Sequence, residues 1–261
     1  MSRWKTFCHR FLVIAAAVTV LGLPRLASAA PGDTLMDYGA DLVSNYVWRG
    51  NDLYVSKFAK DNKQPAAFNV APALQPSITF YGPGGLSFNM WGSFALTDRK
   101  PDTATSFAGL EQLDEIDYTL GWDWSNKMGG FSAGLVTYTL TAMPSLSATK
   151  EVYVSYAPAI LPSISPKFTH YVSVDAVSPS AGGYGGSTYD LLSIGGGDKL
   201  TWSLSIGKTV TLNDITASVG YPVGPLSISL NVADRPNLPD GSTEKAAIFW
   251  IDINYSGSVK E

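Results

Sequence analysis

The chain holds two histidines, His9 and His170, and general acid–base or Ser-His chemistry would have to run through one of them. His9 sits in an N-terminal stretch that reads as a removable leader. His170 stands in Phe168-Thr169-His170-Tyr171-Val172-Ser173, where position i+2 is Val172 and not a serine. Alternation places His170 on the apolar side of that segment, as an interfacial histidine, and the expectation is no enzyme. Gly195-Gly196-Gly197 lacks the helix and the Lys-Ser/Thr of a phosphate loop and reads as the end of a strand. The acids between Asp98 and Asp114 fit no calcium-loop spacing, so neither a metal nor a cofactor is expected.

Charge in an enclosed place is the remaining chemistry. Arg49 lies in Ser44-Asn45-Tyr46-Val47-Trp48-Arg49-Gly50. If this is a strand, Asn45 and Arg49 share one face and Tyr46 and Trp48 the other. Asp41, Glu115, Asp117, Glu151 and Asp252 fall on the same polar side as Asn45 and Arg49. In one reading Arg49 projects into a water-filled interior and sets up a transverse field against these acids. In the other it is paired with Asp41, Asp117 or Glu151, because an unpaired enclosed charge is costly. Replacement by alanine separates the two.

The elements that must position these residues begin after the leader. Arg3, Lys5 and Arg10 precede the apolar run Phe11–Leu23, and Ala27-Ser28-Ala29 supplies a small-x-small cleavage site before Ala30. The run is too short to span a bilayer, which needs about 20 apolar residues. Residues 1–29 are thus expected to be a secretory signal and 30–261 a single domain. Cys8, the one cysteine, leaves with the signal. Loss of Arg3, Lys5, Arg10 and Arg25 takes the 18 basic residues to 14 against 22 acidic ones, so the net charge moves from −4 to −8. That balance excludes nucleic acid as a partner.

Period-two alternation runs through the rest. In Glu115–Ser125, Ile116, Tyr118, Leu120, Trp122 and Trp124 oppose Glu115, Asp117, Thr119 and Asp123. Twelve such segments are expected, near 37–49, 66–80, 86–97, 113–125, 130–140, 149–158, 166–176, 188–196, 200–210, 214–221, 225–234 and 245–255. Long polar connections alternate with tight turns such as Gly82-Pro83-Gly84-Gly85 and Lys127-Met128-Gly129. An even strand count with that alternation predicts an all-β, closed antiparallel transmembrane β-barrel of about 12 strands, with short periplasmic turns and longer extracellular loops. A secreted β-sandwich also alternates, but its water-facing side carries more charge than the 15% here. Tyr46, Trp48, Trp122, Trp124 and Tyr255 are expected in aromatic belts at the membrane interfaces.

Ser44 to Gly50, followed by Pro72-Ala73-Leu74-Gln75 and the hairpin strand Gly85–Ser93, resembles the early signature of the TorF-type porin family, exported proteins of unassigned substrate. Glu115-Ile116-Asp117 and Glu151-Val152-Tyr153-Val154 are similar to that family's later acidic strand starts. The resemblance covers about residues 37–157 and implies a porin of the bacterial outer membrane, of Gram-negative type. The expected partners are outer-membrane lipid and small hydrophilic solutes. A twelve-strand cylinder is wider than the eight-strand size that side chains can fill, so passive passage with a mild cation preference is expected. A closed-lumen structural or binding barrel and a soluble sandwich binder are the alternatives. No extended flat patch of the kind a trimer needs is recognisable.

Overall fold

A computed structural model describes residues 34–52, 72–96, 115–140, 149–159, 164–174, 188–209, 213–236 and 247–260. The expected leader, its cleavage before Ala30 and the acids from Asp98 to Asp114 lie outside the described residues. Fourteen strands follow in order: β1 Thr34–Val43, β2 Val47–Trp48, β3 Asn51–Asp52, β4 Ala73–Tyr81, β5 Leu86–Ala95, β6 Glu115–Asn126, β7 Gly129–Leu140, β8 Thr149–Pro158, β9 Lys167–Ser173, β10 Thr188–Gly196, β11 Thr201–Lys208, β12 Asn213–Val223, β13 Leu226–Asp234 and β14 Ile248–Lys260. All except β2 and β3 join one closed barrel, in which β1 pairs with both β4 and β14. Every pairing is antiparallel. The twelve-strand cylinder expected from the alternation is the architecture found.

Alternation converts directly into two walls. On β6, Leu120, Trp122 and Trp124 are exposed on the outside, while Glu115 and Asp117 are buried on the inside. On β13, Leu226, Ile228 and Leu230 face out, with Ser229 and Asn231 buried within. Leu120 and Val154 are each 57% exposed on the outer wall. In water such rows would forfeit roughly 25 cal/mol per Å² of burial; against acyl chains they forfeit nothing. The inner wall keeps its polar groups bonded: Ser218 Oγ donates to Asn231 Oδ1 at 3.0 Å, and Ser155 and Thr169 hydroxyls meet at 3.0 Å. A sandwich, with apolar faces meeting in one dry core, is excluded by this division.

Tight turns occupy one end of the barrel. Pro83–Gly85 forms a single 3-10 turn. At Gly197 φ is +96° and an added Cβ would lie 2.0 Å from the Leu200 carbonyl, so the Gly195-Gly197 run ends a strand, as expected. On either side of the connection after β8, Ala159 N–H donates to Met128 O at 3.0 Å and Ser165 N–H donates to Gly195 O at 2.8 Å.

The first strand is where expectation and structure part. It was expected to run to residue 49; it ends at Val43. Ser44 N–H donates to Ile251 O at 2.8 Å, and the Ile251 N–H donates to Ser44 Oγ at 3.0 Å. The serine hydroxyl thus takes the donor that a further ladder residue would have satisfied. A bend at Ser44-Asn45 follows, and β2 pairs only with β3, outside the barrel ladder.

Candidate functional site: a hairpin across the barrel interior

Residues 47–52 form a two-residue-turn hairpin whose tip is Arg49-Gly50. Both tip residues have positive φ, 49° and 70°, as a type I′ turn requires. Glycine adopts that region freely. Arginine does so at a cost of about 1–2 kcal/mol, so other contacts must hold it there. Gly50 is also demanded by space: an added Cβ would lie 2.8 Å from Asp214 Cβ and 2.9 Å from Arg235 Cγ.

The hairpin leaves β1 and reaches the opposite wall. In the ring of twelve strands β9 stands six places from β1 in either direction. Arg49 nevertheless pairs with Glu151 of β8, with Nη1 donating to Oε1 at 3.0 Å and Nη2 to Oε2 at 2.6 Å. Its guanidinium carbon lies 4.0 Å from the Tyr189 ring centroid, 4.4 Å from Trp48 and 5.2 Å from Tyr171. Tyr138 Oη donates to Glu151 Oε2 at 2.9 Å, and Tyr189 Oη donates to Asp214. The arginine and glutamate side chains are only 13% and 6% exposed. Burial pulls the guanidinium pKa down, but the hydrogen bonds and charge of Glu151 outweigh it and keep Arg49 protonated.

The hairpin's near end is held differently. Tyr46 is buried, its Oη donating to Glu115 Oε2 at 2.9 Å and its ring 5.6 Å from Trp91. Val43, Tyr46, Ala73, Ala95, Ala233, Ile248 and Trp250 form an apolar cluster, with Val47, Trp48 and Trp91 packed against it. This cluster lies inside the barrel, at the end carrying the long connections.

Asp41, Asn45, Arg49, Glu115, Asp117, Glu151 and Asp252 all lie inside the barrel, Asn45 and Arg49 by way of the bend at Ser44-Asn45. Arg49 and Glu151 meet directly. Asn254 Nδ2 donates to Asp41 Oδ1. Among the described residues, Asp117 Oδ1 and Asp252 Oδ1 are enclosed without a hydrogen-bond partner. Of the five belt aromatics, Trp122, Trp124 and Tyr255 are exposed on the outer wall, toward the tight-turn end. Tyr46 and Trp48 correct the expectation: they face the interior, because the bend at Ser44-Asn45 cancels the parity that put them outside. Tyr138, Tyr171 and Tyr189 were not singled out from the sequence; the signal was a tyrosine on the polar face of successive strands.

His170 faces outward, its Nδ1 2.6 Å from Asp190 Oδ1. Acids dominate inside: Asp37, Asp41, Glu115, Asp117, Asp123, Glu151, Asp214 and Asp252, against Arg49, Lys167 and Arg235 among the described residues.

No family model matches the chain and no curated protein matches it in sequence, so the TorF-type resemblance stands on its motifs alone. Solved structures do match. The KdgM porin aligns at TM-score 0.51 and 7% identity, over 84% of this chain and 97% of that one. The NanC porin aligns at 0.51 and 9%, over 86% and 99%. An active-site variant of outer membrane phospholipase A from Escherichia coli aligns at 0.50 and 13%, over 93% and 96%. The fold is that of outer-membrane β-barrels. At these identities the likeness carries the fold alone. The third match also corrects the expectation of no enzyme: a phospholipase is built on this same barrel, so the architecture does not divide channels from enzymes.

Proposed function

We propose that the chain is an outer-membrane channel for small hydrophilic solutes, exported by a signal cleaved before Ala30 in a Gram-negative bacterium. The observation that carries this reading is the two-walled cylinder: an apolar outer face suited to lipid, and an inner face of Ser, Thr, Asn and acids suited to water. The inward acids outnumber the inward bases, and a wall of one sign favours the opposite ion, so the passage prefers cations. The hairpin of residues 47–52 crosses the interior and meets Glu151 on β8.

The test is a planar bilayer holding refolded protein with a KCl gradient. Discrete conductance steps and a reversal potential displaced toward the K⁺ equilibrium value are expected. Absence of conductance, or a reversal potential on the chloride side, overturns the reading. The hairpin's crossing of the interior favours one second reading, a barrel closed at rest. In that case steps appear only when the hairpin contacts are broken by mutation.

A further inference from the structure

Arg49 is held by a surface that the barrel builds without the hairpin. Tyr138, Glu151, Tyr171 and Tyr189 belong to four consecutive strands, β7 to β10. Glu151 presents both carboxylate oxygens, one of which also accepts from Tyr138. Tyr171 and Tyr189 stand 6.0 Å apart in a file, and Asp214 of β12 fixes the Tyr189 hydroxyl. A paired carboxylate edge beside aromatic faces is the complement of a planar, delocalised cation: the fork takes both oxygens while the rings take the faces. A compact ammonium would reach one oxygen and forgo the second bond of the fork. Only Trp48 of the cage comes from the hairpin itself.

We propose that this stretch of inner wall is a binding site for a guanidinium group, that Arg49 fills it as a tethered ligand, and that small guanidinium-bearing solutes compete with Arg49 for it. The turn that presents Arg49 fits such a role. Its φ of 49° is a conformation arginine avoids, so the docked hairpin is opposed by its own backbone and a free ligand is not. The tether raises the local concentration of Arg49 to roughly millimolar, so a solute must reach about that range to displace it. The inference rests on the channel reading for its purpose, since it names the solute class, but binding itself can be measured without current.

The test uses Arg49→Ala and Arg49→Gln, refolded in micelles, with the closed barrel checked by heat-dependent gel mobility. Ethylguanidinium and ethylammonium are titrated by calorimetry. Both variants are expected to bind ethylguanidinium about tenfold more tightly than ethylammonium, the worth of one further charge-assisted hydrogen bond. The wild type is expected to bind at least about tenfold more weakly than the variants, because Arg49 competes. Adding Glu151→Gln abolishes the binding. Folded variants that bind no guanidinium, or bind it equally without Glu151, overturn the proposal. Should neither variant fold alone, ethylguanidinium in the refolding buffer is expected to restore the barrel, and failure to do so also overturns it. Binding without bilayer conductance would reject the channel reading and leave the site standing; conductance without binding would do the reverse.

Discussion

Replacing Glu151 with glutamine removes one charge and almost no volume, and the structure fixes what should follow. The Arg49–Glu151 pair is enclosed, at 13% and 6% exposure, so solvent screens it little. Breaking an enclosed pair by neutralising one partner costs about 3–5 kcal/mol, since the remaining charge stays desolvated. The hairpin keeps Tyr46 on Glu115 and its apolar packing, while Arg49 keeps the backbone cost of its positive φ. At 1.4 kcal/mol per tenfold, the ratio of docked to undocked hairpin should fall by about a hundredfold to several thousandfold. Residues 30–261 contain no cysteine, so Val47→Cys provides a single reporter on a strand packed against the internal cluster. Its reaction rate with a charged thiol reagent should rise by about the same factor in Glu151→Gln, up to the rate of a free thiol. Bilayer conductance should rise with it. Unchanged labelling in a variant whose barrel still shows heat-dependent mobility would refute the reasoning, because the hairpin would then be held by something other than this pair.

Four further substitutions probe separate parts of the same picture. Gly50→Ala places a Cβ against Asp214 and Arg235 at a φ of +70°, so the hairpin should be weakened by about 1–3 kcal/mol, read as faster Val47→Cys labelling with the barrel intact. Tyr46→Phe leaves Glu115 without its 2.9 Å donor and should weaken the near end by about 1–3 kcal/mol, again seen by labelling. On the outer wall, Leu120→Arg puts a charge among acyl chains and should lower stability by about 2–4 kcal/mol in denaturant unfolding from lipid vesicles. Thr119→Arg, one residue away and inward, should instead reduce cation preference in the bilayer.

The cylinder was legible because lipid imposes the same rule on every strand. Ile116, Tyr118, Leu120, Trp122 and Trp124 must all face acyl chains, so the period is unbroken and strand, face and count follow together. That rule stops where the chain leaves the membrane. Ser44 has the look of a strand residue, yet its hydroxyl takes the Ile251 N–H and ends β1, and from there parity predicts nothing. Tyr46 and Trp48 were placed outside for that reason. The usual cue for a two-residue hairpin is Asn-Gly or Asp-Gly; here Arg49-Gly50 fills the turn, and arginine's reluctance to adopt positive φ hides it. Arg49 had three candidate partners in the sequence, and only the crossing to the far wall selects Glu151. Tyr153, Tyr171 and Tyr189, evenly spaced on the polar face of three successive strands, were the available hint that this wall holds more than water.

The hairpin and the acid surplus form one electrostatic arrangement. Arg49 pairs with Glu151, and Arg235 stands near Asp214 beside Gly50, so both acids are compensated where the hairpin docks. Among the described residues, Asp41 accepts from Asn254 Nδ2, and Asp117 Oδ1 and Asp252 Oδ1 are enclosed without a hydrogen-bond partner. Undocking the hairpin frees the Glu151 carboxylate from its arginine. Cation preference should therefore increase, and not merely conductance, when Arg49 leaves its site; a gain in current with unchanged selectivity would mean that the cage acids do not face the conducting water.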